Sequence, residues 1–131
     1  MHISEHDNCP LCRNKKEQLL IQNELAFAVY DTNPVNPGHC LIMPHRHVAE
    51  YFQATTEEKM AIWSLVDEMK EIVDKEHSPD GYNVGVNVGK IAGQSVPHIH
   101  VHMIPRYIGD VEDPKGGVRG VIPDRQKYGK A

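Results

Sequence analysis

Between Pro97 and Pro105 the chain reads His98-Ile99-His100-Val101-His102-Met103-Ile104, a strict alternation of imidazole and apolar side chains. Successive side chains of a strand point to opposite faces. The pattern predicts a strand over 98–104 with three histidines along one face and Ile99, Val101 and Met103 entering a core. A second alternation runs from Tyr82 to Val88, with Val84, Val86 and Val88 on one face and Asn83, Gly85 and Asn87 on the other. Two such segments commit the chain to a sheet with a half-buried face. Between them, Gly89-Lys90-Ile91-Ala92-Gly93-Gln94-Ser95 is a loop whose glycines allow close backbone approach.

Earlier in the chain, Leu25 to Tyr30 and His39 to Met43 read as two further strands. The connector Asp31-Thr32-Asn33-Pro34-Val35-Asn36-Pro37-Gly38 is dense in turn formers. A helix is predicted from Thr56 to Glu76. Thr55 or Thr56 can cap it, and Glu57 and Glu58 suit the positive end of its dipole. Met60, Trp63, Val66, Met69 and Val73 recur at three- and four-residue steps, with Ile62, Leu65 and Ile72 widening the stripe. His77-Ser78-Pro79-Asp80-Gly81 ends the helix. The order β-β-α-β-β without a parallel crossover predicts an α+β fold, an antiparallel sheet with helices on one side. At 131 residues the chain is expected to form one domain. Residues 1–16 are expected to be a polar arm. Residues 105–131, with three prolines and five glycines, are expected to be an irregular tail.

The net charge of −4 is mild, and no Lys/Arg run is dense enough to follow a nucleic-acid backbone, so a phosphate-bearing partner is expected to be small. No stretch approaches the ~20 apolar residues of a membrane span, and the N-terminus lacks the apolar segment of a signal peptide. A cytoplasmic location with reduced cysteines is expected. Of the three cysteines, Cys9 and Cys12 have the spacing of half a zinc site or of a redox pair. No βαβ pattern surrounds them to favour the redox reading, and Cys40 is expected to pack.

Nine histidines occur, six of them in the clusters His39/His45/His47 and His98/His100/His102. A row of imidazoles on one face would crowd and, if protonated, repel. It can be a solvated face, a set of metal ligands, or the seat of phosphoryl transfer. In the last case a neutral imidazole nitrogen attacks phosphorus while the other nitrogen carries the orienting proton. Flanking imidazoles and loop amides hold the phosphate oxygens.

Residues 98–104 resemble the signature of the histidine triad (HIT) superfamily. Asn87, eleven residues before His98, is similar to the family's phosphate-contacting Asn or Gln, and Gly93-Gln94-Ser95-Val96 resembles its phosphate loop. His39, within Pro37-Gly38-His39-Cys40-Leu41-Ile42-Met43-Pro44, resembles an additional active-site histidine. Asp31, eight residues earlier, stands where the family has a ribose-binding acid. The resemblance implies a HIT-like fold: about five antiparallel strands with one long and one short helix, assembled as a homodimer with sheets joined edge to edge.

It further implies that His100 is the nucleophile, oriented by the His98 carbonyl. His102 and His39 would contact or protonate groups at the phosphate. Asn87, Gly93, Gln94 and Ser95 would bind the phosphate or leaving group, with the base walled near Phe27 or Thr32. The bacterial type with an N-terminal CxxC pair implies a structural zinc on Cys9, Cys12, His47 and His98, with His45 as the substitute for His47. No organic cofactor is implied. The expected reaction is hydrolysis, or phosphorolysis, at the α-phosphate of dinucleoside polyphosphates through a nucleotidyl-histidine, releasing a nucleoside monophosphate. The tail around Gly116–Pro123 resembles bacterial HIT hydrolases, with Lys115 or Arg119 as candidates to reach a distal phosphate. Hydrolysis of a nucleoside phosphoramidate, a zinc-stabilised nucleotide-binding module with little turnover, and a catalytic zinc hydrolase are the alternatives.

Overall fold

The computed structural model describes residues 9–129; residues 1–8 of the expected arm, and residues 130–131 of the tail, lie outside the described residues. Five strands form one antiparallel sheet: β1 (Leu19–Gln22), β2 (Ala26–Tyr30), β3 (Cys40–Pro44), β4 (Gly81–Val86) and β5 (Val101–Arg106). Their order in space is β1-β2-β3-β5-β4. The expected α+β sheet is present, with one long and one short helix. β1 escaped the sequence reading because Leu19 to Gln22 is only four residues long and carries no full alternation.

The long helix, α2, spans Thr56–His77. Thr55 caps it: the Thr55 hydroxyl accepts from the Glu58 amide and the Glu58 carboxylate accepts from the Thr55 amide. Ser78, left-handed at φ 49°, closes it. The buried stripe of α2 is Ile62, Leu65, Met69 and Val73. They pack on Ala26, Ala28, Cys40, Ile42, Val101 and Met103 of the sheet. Each fully buried side chain of this size contributes roughly 1.5–3 kcal/mol. Two residues of the expected stripe face outward instead, Met60 at 67% exposure and Trp63 at 38%. Apolar residues surround the first half of the helix, so periodicity alone did not select the face.

The expected arm is a correction. Pro10–Gln18 form a helix, α1, capped by Cys9, whose Sγ accepts from the Cys12 amide at 3.5 Å. Pro10 occupies the first helical turn, where its missing N–H costs nothing. The short helix does not join α2. Leu11 and Cys9 pack with Phe27, Val29, Leu41 and Met43 on the opposite face of the sheet. The helices are therefore on both sides rather than one. Beyond β5, the tail folds into short 3-10 turns at Gly117–Val121 and Pro123–Arg125.

Candidate active site

β3 and β5 pair so that Leu41 faces His102 and Cys40 faces Met103. On the α2 face this brings Cys40, Val101 and Met103 into the core. On the other face it brings His39, just before β3, diagonally next to His102. His39 Nε2 lies 3.0 Å from His102 Nδ1, and the His100 and His102 ring centroids are 5.0 Å apart. His98 and His100 precede the regular strand, which starts at Val101 rather than at His98. Ile99 still turns into a small core with Val48 and Ala54. The His100 Nδ1–H donates to the His98 carbonyl at 2.9 Å. That bond leaves the Nε2 lone pair of a neutral His100 available, the state in which imidazole attacks an electrophile.

Asp31 joins the group, its Oδ2 3.5 Å from His39 Nε2 while its Oδ1 accepts from the Asn33 amide at 2.8 Å. Burial lowers the pKa of His39, against the opposing pull of Asp31. Burial, and then the neighbouring His100 and His39, push His102 down to about 4. Both rings are neutral near neutral pH. The ligand atoms of Asp31, His39 and His102 are close enough to share an ion. The 3.0 Å His39–His102 spacing is nevertheless that of a hydrogen bond.

Two hollows flank this group. One, of about 490 Å³, is lined by His39, His102 and Asn87 together with Val84 and Val86 of β4 and Val118 and Val121 of the tail. The other, of about 340 Å³, lies between α1 and the start of the β2–β3 connector and is lined by Leu11, Asn14, Asp31, Thr32 and Leu41. Thr32 is thus at a wall, whereas Phe27 is fully buried and stacked on His45. The walls from α1 and the tail were absent from the sequence reading. Pro10, at the first helical position, was the signal available for α1.

The phosphate-loop candidates divide. Gly93 has φ +100°, and a Cβ there would sit 3.9 Å from the Asn87 side chain. Ser95 is exposed. The Gln94 side chain is spent on the loop itself, accepting from the Gly89 amide and donating to the Ala49 and Val96 carbonyls. Arg119 donates to the carbonyls of Arg125 and Gln126 and lies over Tyr128, as does Lys115. Both cations hold the tail together instead of reaching toward the histidines. Cys40 is fully buried, its thiol pushed up to about 12 by burial.

Cys9, Cys12, His47 and His98 bring four ligand atoms within 4.8 Å of one another. His98 Nδ1 is 3.5 and 3.4 Å from the two sulfurs, and His47 Nδ1 is 3.6 Å from Cys12 Sγ. The His98 Nε2–H donates to the Pro44 carbonyl at 3.1 Å, which orients the ring and leaves Nδ1 toward the sulfurs. None of the cysteines is in a disulfide. Two thiols and two imidazoles are a donor set that suits tetrahedral Zn²⁺, and the residues fit such an ion. His45 is not part of it; its Nε2–H donates to the Asn23 carbonyl.

The comparisons with known proteins agree with this geometry. A bis(5'-adenosyl)-triphosphatase of Dictyostelium discoideum is 34% identical over 99 residues, 76% of this chain and 66% of that protein. This chain thus spans just under two thirds of that relative's length. The crystal structure of a HIT family protein from Bacillus anthracis superposes with a TM-score of 0.73 at 33% identity, covering 79% of this chain and 77% of that one. A Zn-bound histidine triad family protein from Mycobacterium smegmatis gives 0.64 at 29% identity, with 70% and 67% covered. The HIT domain family matches residues 13–109. With residues 13–109 matched and His100 lying beside His102 and His39, the chain belongs to the histidine triad family.

Proposed function

We propose that the protein is a nucleotide hydrolase of dinucleoside polyphosphates, acting at the α-phosphate through a covalent nucleotidyl-His100. The observation that carries this reading is the His100 Nδ1–H bond to the His98 carbonyl, which leaves Nε2 as a base beside a neutral His102. The name of the Dictyostelium relative supports the substrate class. Attack by Nε2 on the α-phosphorus forms a P–N bond and expels the remaining nucleotide. Water then breaks that P–N bond and releases the nucleoside monophosphate; inorganic phosphate as the acceptor would instead carry the nucleotidyl group away as the nucleoside diphosphate. The cleft beside Asp31, Thr32 and Leu41 suits the retained nucleoside, with Asp31 at the ribose. The hollow at His102 and Asn87 suits the departing half, and Gly93 and Ser95 face the phosphates. His39 supports His102. Gln94 shapes the loop through its backbone bonds.

The test is release of nucleoside monophosphate from diadenosine tetraphosphate by wild type and His100→Ala. We expect turnover to fall by several orders of magnitude in the variant while nucleotide binding persists. Activity retained in the variant would remove His100 from the chemistry. Adenosine phosphoramidate as the preferred substrate would move the protein to the other leaving group.

Zinc on Cys9, Cys12, His47 and His98 is the second part of the proposal, supported by the donor set and the zinc-bound relative. When bound it would tie α1 to the His98 segment as a structural ion. We also propose a homodimer formed through an edge strand of the sheet, and a cytoplasmic location, which keeps the thiols reduced. Native mass spectrometry is expected to show a dimer with one zinc per chain, and metal lost in Cys12→Ser. A metal-free monomer would contradict both.

A further inference from the structure

The connector between β2 and β3 does more than place Asp31. The Val35 amide donates to His39 Nδ1 at 3.0 Å. A neutral imidazole carries one N–H, and a nitrogen that accepts a backbone proton cannot be the one that bears it. His39 therefore bears its proton on Nε2. That atom is 3.0 Å from His102 Nδ1 and 3.5 Å from Asp31 Oδ2. The reverse arrangement, His102 donating from Nδ1, would require His39 to be bare on both nitrogens, an anion with no place at neutral pH. His102 must accept on Nδ1 and bear its own proton on Nε2.

We propose that the Val35 backbone amide is a positioning group of the active site. By fixing the tautomer of His39 it holds His102 as an Nε2–H donor, opposite in kind to the bare Nε2 of His100. The role, though not the tautomer, rests on the functional reading above. The site then offers a phosphate ester one nucleophilic nitrogen and, next to it, one uncharged donor for an equatorial or leaving-group oxygen. No proton needs to move along the chain for the attack. The opposite tautomer would set a second lone pair against phosphate oxygens and repel them.

The connector is built to keep this amide in place. His39 donates its own amide to the Asn36 carbonyl, and the Asp31 amide donates to the His39 carbonyl. The Asn36 side chain donates to the Pro105 carbonyl and to Asp110, and the Tyr107 hydroxyl donates to the Pro37 carbonyl. Burial, which holds both rings neutral, makes the choice between tautomers the remaining variable.

Long-range ¹H–¹⁵N spectra of the imidazoles read tautomers directly, in the full chain without substrate. Wild type is expected to show His39 and His102 as Nε2–H and His100 as Nδ1–H. Val35→Pro removes the donor. It should shift His102 toward a mixture of tautomers and lower turnover of diadenosine tetraphosphate roughly tenfold to a hundredfold, with KM little changed. An Nδ1–H or doubly protonated His102 in wild type at neutral pH overturns the proposal, whether or not the variant folds. So does a folded Val35→Pro that keeps both the His102 signature and the turnover. A wild type with the expected tautomers that releases no nucleotide supports the assignment and counts against the functional reading alone.

Discussion

His98 belongs to two places at once. Its ring sits among Cys9, Cys12 and His47, and its carbonyl accepts the proton that orients His100. The alternation of residues 98–104 disclosed the three histidines but assigned them one face. The backbone enters the regular strand only at Val101, so the His98 ring faces the sulfurs while His100 and His102 stay together. The Asp31–His39 contact was not legible, because a turn-rich connector leaves side-chain directions open.

Burial of His102 has a thermodynamic consequence at this scale. Burial holds its folded-state pKa down at about 4, below the 6.5 of a free imidazole. As pH falls from 6.5 toward 4 the unfolded chain binds a proton that the folded one refuses, so stability falls across that window and this contribution levels off below it. Thermal melts should show the loss in wild type and a smaller one in His102→Asn. Equal losses in the two would mean that His102 titrates normally.

At the scale of elements, α2 is where pattern and packing diverge. Its limits were readable from the capping box at Thr55 and from Ser78-Pro79, and its existence from the apolar recurrence. Its inner face was not, since Met60 and Trp63, which face outward, are as apolar as Ile62 and Leu65, which face the sheet. Ile62→Ala should cost about 2–5 kcal/mol in denaturant unfolding, because it opens a cavity against the sheet. Met60→Ala should stay within about 0.5 kcal/mol. The reverse order would place the wrong face on the core. Gly38 is a second element-level constraint. At φ +89°, a Cβ there would press to 3.0 Å on His77 and 3.1 Å on Val73. The turn that delivers His39 thus requires glycine. α1 was missed for a different reason: nine residues with little apolar periodicity owe their place to a cysteine cap and to Leu11 on the sheet.

Over the whole molecule the sheet separates two tasks. One face carries α2 and the larger core, while the other carries the histidines, the Cys/His cluster and α1. β3 and β5 are neighbours within the sheet, and their register sets His39 beside His102. That pairing joins residues 63 positions apart. Sequence spacing revealed it only through the resemblance to the triad family, because local patterns say which residues share a face and not which strands are adjacent. No helix among the described residues is long and apolar enough to cross a membrane. In the proposed reaction His100 carries the nucleotide. The intact mass of the protein, quenched within the first turnover of diadenosine tetraphosphate, reports that intermediate. An acid-labile adduct of one adenylyl group is expected on wild type, mapped to His100 and missing from His100→Ala. Rapid turnover with no adduct, or an adduct on another residue, would contradict it.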